Sequence, residues 1–494
     1  MSARYASAQY LLRLAVLVSF PPVFGLLSSA APVPAWGATI EVTPGGPLTI
    51  QAAIDAAADG DSILLVGTPV TPFSGPGNRD IDVRGKALVI TGVGSDPVID
   101  CQGSYEEPHR GFLLQHGEGP STVIEHLTVT NAQSPVGENG GALLCTGSSP
   151  EIVSCQFLGN HSSGTGNAIF SYGGSPRIAD CVAERGSGAF VSPPGLSGAI
   201  VCVYGSPVIE NCTVRSNMSG GVSVAGNGAP LVRGCLMAGN ANGELSGSGV
   251  FENCTIRGNA LENPIEMEAN AVSLFGGASV LRDCRISGNH GFYPAVNAAG
   301  ESVRLERCVI DGNAGGVVIR TSGELDHCVI TGNGNTPSFM YFGALQVEGP
   351  YLCHVTNCTI VGNVSSAVAG GIHVVDASVE ITHTIVQGNC SIYGDDVLLN
   401  EGGTVSFFCS DFSPDLISGP WADLGCNLNE DARFCDPFEC AEAPAVGGDY
   451  QLDALSPCRA DASPCHELIG ALEVGCGATA TQPMSWGAVK GVFR

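Results

Sequence analysis

The sequence predicts an all-β fold, a single-stranded right-handed parallel β-helix whose backbone winds into stacked coils. Three observations predict it: a short phrase that returns many times, alternating apolar residues ahead of each copy, and glycine-rich turns between copies. The chain has 494 residues with 68 glycines, and only 14% of its residues are charged. Short apolar strands and tight turns have this composition, whereas a disordered chain would be rich in charge.

The repeated phrase is Cys-x-apolar-x-Gly-Asn, and it returns every 19 to 31 residues. That spacing is typical of a solenoid, in which each repeat packs only on its neighbours. The copies that keep the phrase lie at 155–160, 235–240, 254–259, 284–289, 308–313, 328–333 and 358–363. Variants lie at 212–217 and 384–389, a copy at 126–131 has His126 in the Cys place, and a copy at 181–186 ends in Gly186.

The phrase and the residues before it predict the shape of one coil. Inside the phrase, alternate residues face opposite sides, as in a strand. Ahead of it the apolar alternation shifts by one residue, for example across Glu306 and Arg307, and a strand changes its inward face only at a bend. The closing Gly-Asn marks a second corner, because both residues tolerate left-handed backbone angles. Several strands and corners in each coil make a polygonal tube.

Stacking would place equivalent residues of successive coils in ladders about 4.8 Å apart. We expect the asparagines to hydrogen-bond from coil to coil. We expect the cysteines to form an inward ladder of buried, reduced thiols, since in-register Cβ atoms stand about 4.8 Å apart and a disulfide needs about 3.8 Å.

Residues 1–38 have the features of a secretory signal peptide. Arg4 and Arg13 supply positive charge, and a mostly apolar stretch from Leu11 to Leu27 is followed by small residues. An uncleaved membrane anchor is the alternative, but prolines interrupt a stretch that is already short for a span. We therefore expect a secreted or cell-surface protein that has no transmembrane segment after signal cleavage.

Both ends of the array differ from its middle. Residues 39–100 would form an N-terminal cap and the first coils, with an amphipathic helix across 48–58 that covers the open end of the tube. The coils would occupy 101–406, followed by a Cys-rich C-terminal cap at 407–476 and, at 477–494, a linker with a sorting tail or a frayed terminus. Seven cysteines crowd the cap, at Cys409, Cys426, Cys435, Cys440, Cys458, Cys465 and Cys476. An exported, loop-rich segment of this kind is expected to be stapled by disulfides, whose pairing the sequence leaves open.

The charge balance excludes some partners. The formal net charge is −27, and Lys86 and Lys490 are the only lysines. Nucleic acid is not expected, because binding it relies on clustered Lys and Arg. A polyanionic substrate is disfavoured for the same reason unless calcium bridges the two acidic surfaces. We expect a monomer.

The chain resembles secreted bacterial proteins with right-handed parallel β-helix repeats, of the pectate-lyase-like superfamily fold. The resemblance rests on Ile50-Gln-Ala-Ala-Ile54, the repeated phrase, Asp449-Tyr-Gln-Leu452, Ser456-Pro-Cys458 and Ile469-Gly-Ala-Leu472, and it covers roughly residues 39–476. It implies the fold. It leaves the activity open, because this fold hosts pectate lyases, polygalacturonases, epimerases and adhesins.

Polygalacturonases suggest one set of candidate catalytic residues. Gly394-Asp395-Asp396 is similar to their paired aspartates, which could serve as acid and base in glycoside hydrolysis. The Gly-His-Gly and Arg-x-Lys motifs of that family are missing from the sequence. The alternative interpretation of Asp395 and Asp396 is a solvated turn after Asn389.

Pectate lyases suggest a second set. Asp100, Glu106 and Glu107 could bind calcium, while His109 or Arg110 acts nearby and Arg110 abstracts a proton next to a carbonyl if its pKa is lowered. The alternative is a polar loop that leaves one coil.

Our leading hypothesis is an exported, non-catalytic β-helix that binds extracellular carbohydrate, a polysaccharide or a cell-surface glycan, or that serves in cell-surface adhesion. A shallow saccharide-binding face could use the tyrosines at Tyr105, Tyr172, Tyr204, Tyr293 and Tyr341. The rival hypothesis is a calcium-assisted polysaccharide lyase or a glycoside hydrolase, and a third is a structural spacer. No other cofactor is implied.

Overall fold

The computed structural model of the chain describes residues 37–188, 196–241, 243–259, 270–291, 293–334, 342–391 and 396–477. The predicted signal peptide and C-terminal tail lie almost wholly outside these ranges, so both stay predictions. Within them the protein is all-β, a stack of short parallel strands with one seven-residue α-helix, Ile50–Ala56. No helix in the described ranges is long and apolar enough to cross a membrane.

Each full coil runs through three parallel sheets, which we call A, B and C in the order in which a coil passes them. Sheet A contains Ile81–Asp82, Phe112–Leu114, Leu143–Thr146, Ile169–Tyr172, Ile200–Val203, Val222–Ala225, Val296–Ala298, Val317–Ile319, Leu345–Glu348, Ile372–Val375, Val397–Asn400 and Ile417–Ser418. Sheet B contains Thr39–Val42, Ser62–Gly67, Val89–Gly94, Val123–Glu125, Glu151–Val153, Arg177–Ala179, Val208–Glu210, Leu231–Arg233, Ser302–Glu306, Ser322–Asp326, Leu352–Thr356, Ser378–Thr382, Thr404–Phe408 and Trp421–Asp423. Sheet C contains Phe73–Ser74, Val98–Asp100, Thr128–Thr130, Gln156–Leu158, Val182–Glu184, Thr213–Arg215, Leu236–Ala238, Thr255–Arg257, Arg285–Ser287, Val309–Asp311, Val329–Thr331, Thr359–Val361, Ile385–Gln387 and Asp411–Phe412. Two long strands, Leu245–Glu252 and Val272–Arg282, pass through both A and B.

The remaining elements lie outside the three sheets. Two short pairs flank the coils, His161–Ser162 with Ser187–Gly188 and Val364–Ser365 with Cys390–Ser391. Near the C-terminus, Phe434–Asp436, Asp449–Asp453 and Val474–Cys476 form a small separate sheet, and 3₁₀ turns cover Pro414–Leu416 and Cys440–Glu442.

The predicted corner between sheets B and C is confirmed by the backbone. At the point where the apolar alternation shifts, one residue takes a left-handed conformation, with φ of +55° at Asn211, +54° at Asp283 and +50° at Arg307. That single residue turns the chain so that the following cysteine points into the core. The second corner follows sheet C, where the glycine of each Gly-Asn pair has a positive φ, for example +62° at Gly159.

The predicted asparagine ladder is present and buried. Asn217, Asn240, Asn259, Asn289, Asn313, Asn333, Asn363 and Asn389 follow one another in successive coils. Most of them donate the side-chain amide to the Oδ1 of the next at 2.8–3.0 Å. Asn240 instead donates to Oε2 of the buried Glu244 at 2.6 Å, and burial raises the pKa of Glu244 well above its usual value. Each coil is thereby locked in register with the next.

One early copy of the phrase was aligned wrongly from sequence. Strand pairing places Thr128 beside Gln156, so Leu127 and not His126 occupies the Cys155 position. Asn131 therefore takes the place of Gly159, with a φ of +53°, and stands outside the ladder. Glycine and asparagine both adopt left-handed backbone angles, so either can occupy the corner. Asn131 occupies it here, although the phrase predicts that its final asparagine belongs to the ladder.

The cysteine ladder is buried and unpaired, as predicted. It runs through Cys155, Cys181, Cys212, Cys235, Cys254, Cys284, Cys308, Cys328 and Cys358, all free thiols. Each thiol of this ladder also donates to a backbone carbonyl oxygen; Cys155 Sγ, for example, donates to Ile124 O of the preceding coil at 3.5 Å. The column continues with Thr384, whose Oγ1 donates to Val355 O. The ladder thus supplies hydrogen-bond donors as well as apolar volume.

The N-terminal helix was predicted across 48–58 and is found at Ile50–Ala56. Thr49 caps its start by accepting from Ala52 N at 3.2 Å, and Ile50, Ala53 and Ile54 are buried. At its end the ammonium of Lys86 donates to the carbonyls of Ile54 and Ala57 at 2.7 Å. A cation at the C-terminal end of a helix also complements the helix dipole.

The Cys-rich C-terminal segment covers the side of the tube as well as following its end. We call residues 426–477 the C-terminal cover. Its Tyr450, Leu452 and Ile469 form a second buried cluster with Val329, Val361 and Ile385, which face outward from sheet C. Backbone hydrogen bonds join the two, from Ala445 N to Gly332 O at 2.9 Å and from Gly470 N to His383 O at 2.7 Å.

Three disulfides hold this region, as the cysteine density predicted. Two of them join the cover to the coils, Cys390–Cys440 and Cys409–Cys465, and the third, Cys435–Cys476, lies within the cover. Cys390 was not counted among the stapling cysteines from sequence, because it follows a ladder asparagine directly. Of the seven late cysteines, Cys426 is exposed and free and Cys458 is buried and free.

Stability of the cover should depend on pH through Asp411. Its Oδ2 accepts from Cys458 Sγ at 3.1 Å, its Oδ1 accepts from Glu430 N at 3.2 Å, and burial raises its pKa to about 6. The carboxyl group of Asp411 therefore binds its proton more tightly in the folded state than in the unfolded state. The free energy of unfolding that this group contributes falls as the pH rises from about 4 to about 6. The expected loss is up to about 3 kcal/mol. We expect Asp411→Asn to flatten the pH dependence of the melting temperature over that range, and an unchanged profile would contradict this role.

Candidate functional site

The outer face of sheet A carries the polar side chains that best fit a binding site. Residues on this face alternate with core residues: Gln346 lies between the buried Leu345 and Val347, and His373 lies between Ile372 and Val374. Gln346 pairs directly with His373 on the next coil. We call Asn297, Arg320, Gln346, Glu348, His373 and Asn400 the sheet A patch.

Arg320 organises the half of the patch nearer the N-terminus. Its Nε donates to Glu348 Oε2 at 2.6 Å, and one terminal nitrogen donates to Asn297 Oδ1 at 2.6 Å. The side chains of Arg320 and Glu348 are 38% and 28% exposed, so this ion pair faces solvent. Such a pair adds little stability, and its hydrogen-bonding groups remain within reach of a ligand.

Gln346 and His373 form the buried half. Each is 6% exposed. Gln346 donates its amide nitrogen to Glu348 Oε1, and Asn400 Nδ2 lies 3.1 Å from His373 Nε2. Among the described residues, neither Gln346 Oε1 nor His373 Nδ1 has a hydrogen-bond partner. Burial lowers the pKa of His373, against the raising effect of the Glu348 carboxylate, so its ring is neutral at pH 7.

Buried polar atoms are almost always hydrogen-bonded, and an unsatisfied one costs about 1–3 kcal/mol. Two such atoms on adjacent coils therefore indicate a place where a ligand could supply the missing hydrogen bonds. Neither this pair nor the patch was predicted from the sequence. The signal was present, a polar residue at an outward position in two consecutive sheet A strands, but loops of unequal length hid the register.

Two of the predicted tyrosines meet on the same side of the tube. The rings of Tyr172 and Tyr204 pack edge to face with centroids 5.3 Å apart and remain 47% and 52% exposed. Strand pairing carries the column of Tyr172 to that of Glu348 in seven steps, about 34 Å along the axis. Tyr105 is also exposed but lies in an earlier loop, Tyr293 is half-buried, and Tyr341 lies outside the described residues.

His109 and Arg110, predicted from the pectate lyases, lie in a network of their own. His109 Nδ1 is 2.6 Å from Asp80 Oδ2, and Asp80 Oδ1 accepts from Arg110 N at 2.8 Å. The Arg110 guanidinium is buried and donates to Glu138 Oε2 at 2.8 Å and to Gly140 O at 2.7 Å. In this arrangement Arg110 clamps the loop that leads to the next coil, and proton abstraction by it stays a prediction.

The predicted calcium ligands do not form one cluster with each other in the described chain. Asp100 Oδ1 accepts from Gln102 N at 3.1 Å and from Asn131 Nδ2 at 3.0 Å, while Glu106 and Glu107 are exposed in the following loop. Asp395 lies outside the described residues. Asp396 is buried, and its Oδ1 accepts from Asn389 N at 2.9 Å, which ends the asparagine ladder. Asp396 therefore supports the fold at this position.

Two other groups bring three potential metal ligands within 4.8 Å in the described part of the chain. In the first, Cys409 and Cys465 are joined as a disulfide and cannot act as thiolates. In the second, Asp82, His116 and Glu118, the carboxylates already accept from backbone amides, including Gly85 N to Glu118 Oε1 at 2.8 Å. Burial raises the pKa of Glu118, but the hydroxyl of Ser148 and these amides lower it overall. Both groups have structural partners.

The chain matches the family described as the right handed beta helix region over residues 98–235 and 198–349, more than half of its length. It therefore belongs to the right-handed β-helix family, and the tube described above is that fold. No curated protein sequence matches the chain.

Solved structures similar to this chain include a protein in complex with xylose, a glucanase and a pectate lyase. The complex of XylC with xylose is 10% identical, with 81% of this chain and 87% of that chain covered and a TM-score of 0.36. The catalytic unit of a GH87 alpha-1,3-glucanase from Streptomyces thermodiastaticus is 16% identical, covering 85% and 73%, with a TM-score of 0.31. Pectate lyase Pel9A is 12% identical, covering 88% and 96%, with a TM-score of 0.28.

Proposed function

We propose that this protein is an exported, non-catalytic β-helix that binds an extracellular carbohydrate on the outer face of sheet A. The observation that carries the proposal is the buried pair Gln346 and His373, each with one unsatisfied hydrogen-bonding atom on adjacent coils. Saccharides present dense hydroxyl groups, which donate and accept and so could satisfy both atoms.

Two further features support a carbohydrate ligand and export. The exposed Tyr172–Tyr204 pair offers an apolar surface with polar edges on the same face, about 34 Å away, which suits an extended polymer. The three disulfides suit an oxidising compartment, as does the predicted signal peptide.

A glycan array probed with the mature chain, with and without calcium, tests this function. We expect retention of at least one extracellular polysaccharide, no dependence on calcium and no release of shortened or unsaturated products. The paired substitution Tyr172→Ala with Tyr204→Ala should weaken binding of long chains about tenfold, since each aromatic contact contributes about 0.5–1.5 kcal/mol beyond area burial. The exposed Tyr351→Ala is the matched control and should bind like the unchanged protein. Product formation would overturn the non-catalytic assignment.

A second candidate, a calcium-assisted lyase or a glycoside hydrolase, is favoured by one observation. His373, kept neutral by burial, lies beside Gln346 and near the Glu348 carboxylate, and imidazole and carboxylate are the usual groups of general acid–base catalysis. If this candidate is correct, product release should occur, and His373→Ala should abolish it in protein that circular dichroism shows to be folded. Product release that survives His373→Ala would place catalysis elsewhere.

A further inference from the structure

We infer that the sheet A patch selects neutral saccharides and rejects uronates. This inference rests on the proposed function, because it names the ligand class of the same site. Three features support it: the hydrogen-bonding character of the two unsatisfied atoms, the charge around them and their place on the sheet.

The two atoms are of opposite kinds. Gln346 Nε2 donates to the Glu348 carboxylate, which fixes the amide so that Oε1 is left as an acceptor. Asn400 presents its amide nitrogen to His373 Nε2 at 3.1 Å, so Nε2 accepts and the neutral ring carries its proton on Nδ1. The site therefore offers one acceptor and one donor, on coils about 4.8 Å apart.

A pair of sugar hydroxyls matches this arrangement. One hydroxyl can donate to Gln346 Oε1 while its neighbour accepts from His373 Nδ1. A uronate has ring hydroxyls too, but its carboxylate has only acceptors. If the carboxylate takes the place of the donating hydroxyl, its lone pairs face Gln346 Oε1 and leave that atom unsatisfied. Leaving a buried acceptor unpaired costs about 1–3 kcal/mol, which corresponds to about five- to 150-fold in affinity.

The charge near the patch points the same way. Arg320 is already paired with Glu348 and Asn297, so it offers no free positive charge to an anion. The described strands contain no Lys or Arg in their sheet A portions; Arg282 lies in the sheet B portion of Val272–Arg282. The formal net charge of −27 adds a general repulsion toward polyanions.

The ligand would have to displace neighbouring groups. Gln346 Oε1 and His373 Nδ1 are both buried in this structure. Two neighbouring residues of the patch reach solvent, since Arg320 is partly exposed and Asn400 is exposed. Binding that requires rearrangement associates more slowly than binding to an open surface. We expect an association rate constant below about 10⁵ per molar per second.

Isothermal titration of the mature chain with a neutral β-glucan, a neutral xylan and polygalacturonate at one ionic strength tests the inference. We expect at least one neutral polymer to bind about tenfold or more tightly than polygalacturonate. Gln346→Leu should weaken neutral binding about tenfold. Leucine should fit there, because the neighbours of Gln346 and His373 in that column are Val318 and Leu398. Gln156→Leu, the same change on the outer face of sheet C, is the control and should leave affinity unchanged.

The outcomes separate the two claims. Binding of polygalacturonate as tight as that of the neutral polymers would overturn the selectivity and leave carbohydrate binding standing. Neutral binding that is unchanged in a folded Gln346→Leu protein would also overturn it, because the pair would then not contact the ligand. Absence of binding to every polymer on the array as well as in titration would overturn the proposed function and this inference together. If Gln346→Leu lowers the melting temperature sharply, the selectivity is decided by the affinities of the unchanged protein for the neutral polymers and for polygalacturonate.

Discussion

Replacing Asn313 with alanine is expected to destabilise the middle of the tube by about 4 kcal/mol. Its side chain makes four buried hydrogen bonds. Nδ2 donates to Ile286 O and to Asn333 Oδ1, both at 2.9 Å, and Oδ1 accepts from Asn289 N at 3.0 Å and from Asn289 Nδ2 at 2.9 Å. Alanine would leave groups on both adjacent coils unsatisfied in the core, where water does not replace the lost partners.

Amide hydrogen exchange is the suitable measurement, because repeat arrays need not unfold in one cooperative step. We expect faster exchange in the coils on either side of residue 313 and a lower denaturation midpoint. Asn131→Gly is the matched control. Asn131 ends a copy of the phrase but stands in the position of Gly159 with a φ of +53°, so glycine should change stability by less than about 1 kcal/mol. Equal effects of the two substitutions would show that the ladder contributes no more than an ordinary turn.

Removing both tethers of the C-terminal cover is the second change with a large expected effect. Cys390–Cys440 and Cys409–Cys465 close loops with sequence separations of 50 and 56 residues. Loop entropy for such lengths corresponds to about 4 kcal/mol for one crosslink. In a protein carrying Cys440→Ala and Cys465→Ala, we expect the cover to open locally, so that its amides exchange much faster while the coils before residue 300 are unaffected.

The free and exposed Cys426 provides the control, because Cys426→Ala removes a thiol without removing a crosslink. It should leave the exchange pattern unchanged. Retained protection across the cover in the doubly substituted protein would mean that the apolar contacts of Tyr450, Leu452 and Ile469 hold it without covalent help.

The fold was predictable because its signals are local and repeated. The corner at Arg307 and the ladder at Asn313 follow from the order of apolar residues and from the backbone preferences of Gly and Asn, which need no knowledge of the rest of the chain. The same local logic failed at Asn131, where one residue type serves two roles. Local patterns also do not predict the disulfide between Cys390 and Cys440, because that contact depends on the cover folding back over sheet C.

The candidate site was mostly hidden for a related reason. Gln346 and His373 are 27 residues apart in sequence, and only the strand register shows that they are neighbours. The predicted Asp100, His109 and Arg110 are close in sequence. In the fold, however, His109 and Arg110 share Asp80 as a partner, whereas Asp100 accepts from Gln102 N. Short-range proximity in a solenoid joins residues of one coil, whereas a binding surface is assembled from the same position of several coils.

The two crosslinks between the cover and the coils also limit how this gene can change in length. Upstream of sheet C strand Val309–Asp311, the strands of a coil pair only with those of the coils directly before and after it, so duplication or loss of a whole coil would mainly alter the height of the tube. Beneath the cover, an added coil would move Cys390 or Cys409 by about 4.8 Å along the tube relative to its partner cysteine. The two sulfur atoms would then be too far apart to form the disulfide. Variation in coil number among natural variants of this protein should therefore be confined to the first two thirds of the tube.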